Sequence, residues 1–401
     1  MKKRVLFVDD EPNVLNGLRR SLHGMREVWD LQFVDSAAAA LQALEKDPYD
    51  AIISDMRMPL MDGADLLDQV KQRYPDTVRM ILSGQSSRGS MFRSIAQAHQ
   101  FLSKPCDPQE LGTRLSQAFA MRDLLSNQSV KTVVSRLRSL PSLPALYEEI
   151  MVQLRSEEPS FTQIARTISK DVGMATKILQ LANSAFMGTS GRVSRLLQAL
   201  TLIGLDNVRT LVLSVNVLSQ FDGNTQVATS LPCLWDHSIA VSKLAQQIAA
   251  AENCAKALLE ECFTAGLLHD LGKLVLMAEF PKKCLEVYAA KSDASAEMER
   301  ERLGCTHAEV GAYLMSIWGL PLPLVHAVAY HHHPAEAGET KFSPLTAVHA
   351  ADAIASEADP SPLIHDIALD QQYLSRLGLS ERVSLWRGLY KGDPSHFAAT
   401  N

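Results

Sequence analysis

Three aspartates and one lysine within the first 110 residues stand where apolar runs end. Asp9 and Asp10 close the run 5–8, Asp55 closes 51–54, and Lys104-Pro105 follows 101–103. If those runs are neighbouring parallel strands, the charged side chains emerge at one carboxyl edge, where open α/β sheets bind ligands. Carboxylates crowded there repel one another unless a hard cation joins them, and oxygen-only ligation suits Mg²⁺. The chemistry this predicts is metal-assisted phosphate handling, with one aspartate free to act as nucleophile. The other half of the chain carries His237, His269-Asp270, His307, His331-His332-His333, His349 and Asp352. Polar groups within apolar helical stretches are costly unless paired. Imidazole together with carboxylate selects a divalent transition metal such as Mn²⁺, Fe²⁺ or Zn²⁺, which can generate a nucleophilic hydroxide. Lys273, one turn after Asp270, is placed to meet a substrate phosphate.

The elements that must position these groups are legible from periodicity. Short β-like runs at 4–8, 31–34, 51–54, 79–82 and 100–103 alternate with helical spacing, as in Leu66, Leu67, Val70 and Tyr74. Five βα units of this size predict a parallel sheet with helices on both faces. Pro12 suits a first helical turn, while Asp62-Gly63 and Ser83-Gly84 signal turns. From 107 to 135 the pattern is helical without strong breakers, which predicts a last helix running on into a stiff connector. Leu140-Pro-Ser-Leu-Pro144 interrupts it. Beyond Pro144 only helical patterns follow, among them 206–220, 234–252, 255–268, 296–318, 343–356 and about 370–391. Loop punctuation falls at Met187-Gly188, Asp222-Gly-Asn224 and Asp359-Pro.

A chain of 401 residues predicts two or three domains. Hydrophobic content of 46% and charged content of 21% describe an ordinary globular protein. The net charge of −6 argues against a general nucleic-acid or anionic-membrane binder. No apolar run reaches the roughly 18 residues that cross a bilayer, and acid follows the first residues too soon for a signal peptide. Six cysteines without a C-x-x-C pair predict a reducing, cytoplasmic setting with the thiols as packing residues.

Asp9-Asp10, the stretch Asp55-Met-Arg-Met-Pro-Leu-Met-Asp-Gly63, Ser83 and Lys104-Pro105 resemble the receiver domain of two-component response regulators, over roughly residues 1–122. The resemblance implies a flavodoxin-like sheet of order 2-1-3-4-5 with Asp55 as phosphoacceptor. It further implies Mg²⁺ on Asp9, Asp10, Asp55 and the backbone carbonyl of Arg57. Ser83 and Lys104 would contact the phosphoryl group, Phe101 would be the aromatic switch, and Pro105 would aim the lysine. Phe101 departs from the tyrosine of many receivers, so its inward rotamer would make no polar bond.

The second half resembles the HD superfamily of metal-dependent phosphohydrolases, and more closely its HDOD branch. The residues that carry this include Leu140-Pro-Ser-Leu-Pro144, Trp235-Asp-His237, Gly266-Leu-Leu-His-Asp-Leu-Gly-Lys273, Gly304-Cys-Thr-His307-Ala-Glu-Val-Gly311 and His331-His332. By that correspondence the candidate metal ligands are His237, His269, Asp270, His307, His331, His332 and Asp352, with Lys273 as a phosphate contact. His333 and His349 are read as exposed or packing residues. HDOD domains are regarded as signalling outputs without a proven reaction. The Gly-Tyr-Pro segment of the related cyclic di-GMP phosphodiesterases is absent after His332.

These readings predict a receiver at 1–122, a helical connector at 123–139 and an all-α output domain at 140–401, with a core at 140–352 and a helical extension at 353–391. The implied protein is a cytoplasmic response regulator served by a sensor histidine kinase and acting on a downstream signalling protein, with room for a homodimer. It would contact neither nucleic acid nor membrane. The alternative is a phosphorylation-gated metal-dependent phosphohydrolase or cyclic-nucleotide phosphodiesterase.

Overall fold

The computed structural model describes residues 2–83, 98–104, 107–124, 128–136, 144–154, 156, 159–183, 193–205, 208, 225–289, 295–358 and 368–390. Outside this set lie Gly84, Pro105, the segment 140–143, nearly all of 206–220 and the loop signals at 187–188, 222–224 and 359–360. Of Ser83 the backbone alone is described.

Five parallel strands form the first half: β1 (Lys3–Val8), β2 (Trp29–Val34), β3 (Ala51–Asp55), β4 (Val78–Ser83) and β5 (Gln100–Ser103). Their order is β2-β1-β3-β4-β5, as the resemblance implied. Strand β3 is buried along its whole length, which is why its run reads as continuously apolar. The order reverses between β1 and β3, opening a crevice at their carboxyl ends. Helices α1 (Pro12–Ser21), α2 (Ala37–Lys46), α3 (Gly63–Arg73) and α4 (Pro108–Leu124) cover the sheet. Asp62 caps α3 by accepting from the Asp65 amide at 2.9 Å, and Leu66, Leu67 and Val70 face the core.

The second half is helical: α5 (Gln128–Arg136), α6 (Pro144–Leu154), α7 (Phe161–Ile168), α8 (Val172–Ala182), α9 (Leu196–Ile203), α10 (Thr225–Ala251), α11 (Lys256–Leu268) and α12 (Leu271–Glu279). It continues through α13 (Pro281–Ala289), α14 (Ser295–Leu303), α15 (His307–Ile317), α16 (Leu322–Tyr330), α17 (Pro344–Ala358), α18 (Gln371–Arg376) and α19 (Val383–Leu389). Three features differ from the sequence expectation. The stretch 107–135 comprises two helices, and in the second, α5, Val130 and Val133 are buried and the helix packs on α12 and α15. The stretch 296–318 divides at Gly304, whose φ of +80° ends α14, and Thr306 with Glu309 forms a capping box that starts α15. Near the C-terminus the stretch 370–391 splits into α18 and α19; there Trp386 and Arg382 donate to one carboxylate oxygen of Glu252, at 2.9 and 2.8 Å. One apolar cluster runs through both halves, joining Ile81 and Phe101 to Leu179 and Val310. Among the described residues no helix is long and apolar enough to cross a membrane.

Candidate functional site

Two clusters result. At the sheet edge, Asp9 is fully buried just past β1, and its Oδ1 accepts from the Glu11 amide at 3.0 Å. Asp55 ends β3, held by the Arg57 amide at 2.6 Å. Gly63 presses on it from α3, where an added Cβ would fall 2.0 Å from the Asp55 carbonyl oxygen. Lys104 reaches from the end of β5 across β4, placing its ammonium 2.6 Å from Asp9 Oδ2 and in contact with Asp55 Oδ1. Burial pushes the Asp55 carboxyl above the ordinary range against the pull of Lys104. Burial also works against the Lys104 charge, yet Asp55 and Asp9 outweigh it and raise the ammonium pKa. Asp10 follows half-buried, Arg57 is exposed, and Phe101 is buried. Two buried carboxylates within reach of one ammonium form the oxygen-rich donor set a hard cation requires, so the residues fit Mg²⁺. Pro105 and the Ser83 hydroxyl lie outside what is described.

The second cluster gathers all seven candidate ligands from five places in the chain. His237 comes from α10, His269 and Asp270 from the turn between α11 and α12, His307 from the start of α15, His331 and His332 from the end of α16, and Asp352 from α17. His307, His331 and His332 form one potential ligand group and His237, His269 and Asp352 another. Asp270 stands between them, 3.3 Å from His307 Nε2 and 3.4 Å from His269 Nε2.

The tautomers follow from the partners. His269 Nδ1 donates to the Gly266 carbonyl at 2.7 Å and His331 Nδ1 to the Val328 carbonyl at 2.8 Å. His307 Nδ1 lies 2.8 Å from both oxygens of Glu299. Each ring therefore turns its Nε2 inward, and those of His269 and His331 present a lone pair there. Burial depresses the imidazolium form of His269 and holds His331 at about 3. Asp270 Oδ1, Asp352 Oδ2 and His269 Nε2 are buried without a hydrogen-bond partner among the described residues. Burial opposes the charge on Asp270, but Lys273 and the surrounding histidines keep the carboxyl well below its usual range. Acceptors thus outnumber donors in a closed space, and the donor set fits a divalent transition cation.

Lys273 is itself buried and donates to Asp270 Oδ2 at 2.8 Å. His333 is exposed; His349 spends its ring on the His331 carbonyl at 2.7 Å and the Asp370 amide at 2.9 Å. The residue that sequence reasoning missed is Glu299. It is fully buried, accepts from the His307 amide at 2.8 Å and receives Tyr288 Oη at 2.9 Å. A carboxylate behind a metal-binding imidazole orients the ring and raises its basicity.

Comparison with known proteins adds two matches by family profile: the response regulator receiver domain over residues 5–116 and the HDOD domain over residues 140–334. The response regulator protein PilR of Pseudomonas aeruginosa is 28% identical over 162 residues, 40% of this chain and 36% of PilR. Ribonuclease Y of Thermus thermophilus is 36% identical over 149 residues, 37% of this chain and 20% of that protein. The crystal structure of the MmoQ response regulator from Methylococcus capsulatus aligns with a TM-score of 0.48 at 26% identity, over 62% of this chain and 98% of that one. The chain spans well under half the length of the curated relatives it matches.

Proposed function

Because the chain is a response regulator that joins a receiver domain to an HDOD domain, we propose that Asp55 takes a phosphoryl group from a sensor histidine kinase and that the added charge controls the helical half. The observation that carries this reading is the meeting of Asp9 and Asp55 at Lys104, on the switch point of the sheet. Asp9, Asp10, Asp55 and the Arg57 carbonyl would hold Mg²⁺, which supplies the positive charge that phosphoryl transfer needs. Lys104 already touches Asp55 and would follow its ester. Ser83 would donate to a phosphoryl oxygen, Pro105 would aim Lys104, and Phe101 would repack as charge of about −2 arrives. The output would work through contacts with a downstream signalling protein in the cytoplasm, alone or as a homodimer. Treating Asp55→Asn with labelled acetyl phosphate should give no hydroxylamine-sensitive phosphoryl group; continued labelling would overturn the reading.

In the helical half we propose that His237, His269, Asp270, His307, His331, His332 and Asp352 hold Mn²⁺, Fe²⁺ or Zn²⁺. Such an ion supplies a hydroxide able to attack a phosphate ester. A second reading, a phosphorylation-gated phosphohydrolase, draws support from a buried lysine beside the cluster and from the likeness to ribonuclease Y. Turnover of a cyclic dinucleotide with Mn²⁺, lost on Asp270→Ala, would favour it; no turnover favours a pure signalling output.

A further inference from the structure

Helix α15 is clamped at both ends, and the two clamps belong to different sites. Its first residue, His307, faces Asp270, His331 and His332 through Nε2 while Glu299 grips its ring and its amide. Its last residue, Ile317, accepts from the side chain of Gln100 at 2.9 Å. Gln100 is buried and opens strand β5, immediately before Phe101. Ser316 Oγ donates to the Gln117 carbonyl of α4 at 3.2 Å. Arg114 of α4, paired with Glu110 at 2.8 Å, donates to the Asn183 carbonyl at 2.8 Å and comes within 3.5 Å of Gln100 Oε1. At Gly319, where φ is +74°, an added Cβ would meet Gln100 Cδ at 3.1 Å, so the receiver side chain lies hard against the turn after α15.

Midway along the helix, Gly311 faces Gly272 of α12, with no side chain between the backbones to absorb a shift. Eleven residues at about 1.5 Å each make a rod of about 16 Å. Packed interiors transmit displacement rather than dissipating it. A rod gripped at one end by the histidine cluster and at the other by the residue next to Phe101 links the two.

We infer that α15 couples the sites: cation occupancy of the histidine–aspartate cluster and esterification of Asp55 change each other's free energy through the Gln100–Ile317 contact. The coupling rests on the reading that the cluster binds a transition cation. It differs from a relay carried by the covalent link between the domains, because the contact is made side chain to backbone between distant parts of the chain. Linkage requires the same factor in both directions.

The test uses the full-length protein in saturating Mg²⁺, with beryllofluoride as the ester mimic and Zn²⁺ as the cation that imidazole draws. Beryllofluoride affinity is measured with and without Zn²⁺, and Zn²⁺ affinity with and without beryllofluoride. The expected result is one shared ratio, up or down, of about 5- to 150-fold. In the double variant Gln100→Ala/Ser316→Ala the ratio should collapse toward one while each ligand still binds. A ratio of one in the wild type, with Zn²⁺ taken up, overturns the coupling alone. An undiminished ratio in the double variant overturns α15 as its route. No Zn²⁺ uptake in either state overturns the coupling and the cation reading together.

Discussion

Glu299 holds His307 by a ring nitrogen and a backbone amide at once, so its carboxylate fixes both the tautomer and the start of α15. Glu299→Gln keeps the size but removes the charge, and Zn²⁺ affinity should fall about 10- to 100-fold. Tyr288→Phe removes only one donor to Glu299 and should cost less. Competition with a chromophoric chelator checks both; unchanged affinity in Glu299→Gln would make the residue a packing group. At this scale the sequence was informative where residue type is rare in its setting. Seven histidines and aspartates in apolar helices stood out, and the structure brings them together. Glu299 did not, because Glu297, Arg300, Glu301 and Arg302 surround it and all face solvent. A buried carboxylate inside a charge-rich helix looks like its exposed neighbours until the helix face is known.

The crossing of α12 and α15 depends on glycine. A Cβ on Gly272 would lie 1.8 Å from the His307 carbonyl oxygen and 2.9 Å from the Gly311 nitrogen. Backbone cannot rotate away as a side chain can, so Gly272→Ala should cost at least about 1–3 kcal/mol. Urea unfolding measures the loss, and weakened Zn²⁺ uptake should accompany it because His307 is displaced. Strands were legible because their runs are short, apolar and bounded by turn residues, and all five runs fall on strands. Helix boundaries were less so. The break between α14 and α15 was readable in principle from Thr306 and Glu309, a capping-box spacing. Apolar periodicity on either side carried straight through it. The docking of α5 on α12 and α15 had no local signal, since Val130 and Val133 do not name their partner.

Where the halves meet, Lys177 of α8 lies 4.6 Å from the Trp318 ring centroid and 3.2 Å from Gln180 Oε1. Burial, with Lys71 of the receiver nearby, lowers its ammonium from 10.5 to about 8. The docked state therefore binds fewer protons than an undocked one between those values, so docking strengthens as pH rises from about 8 towards 10.5. Below that window both states are charged and docking is at its weakest. Protection of the amides around Gln100 and Ile317, taken relative to their intrinsic base-catalysed exchange, should rise between pH 7.5 and 9.5, to an extent well beyond any change in a Lys177→Met variant; identical behaviour would exclude Lys177. The whole molecule also sets where it can be cut. Asp352 and the Trp386 that anchors Glu252 both lie past residue 334, where the family match stops. A piece trimmed to 140–334 would leave His237 without its 3.0 Å carboxylate partner, like a bowl missing one wall. Such a fragment should let Zn²⁺ leak away where the uncut chain retains it, and assays on it would mistake a severed wall for an inert domain.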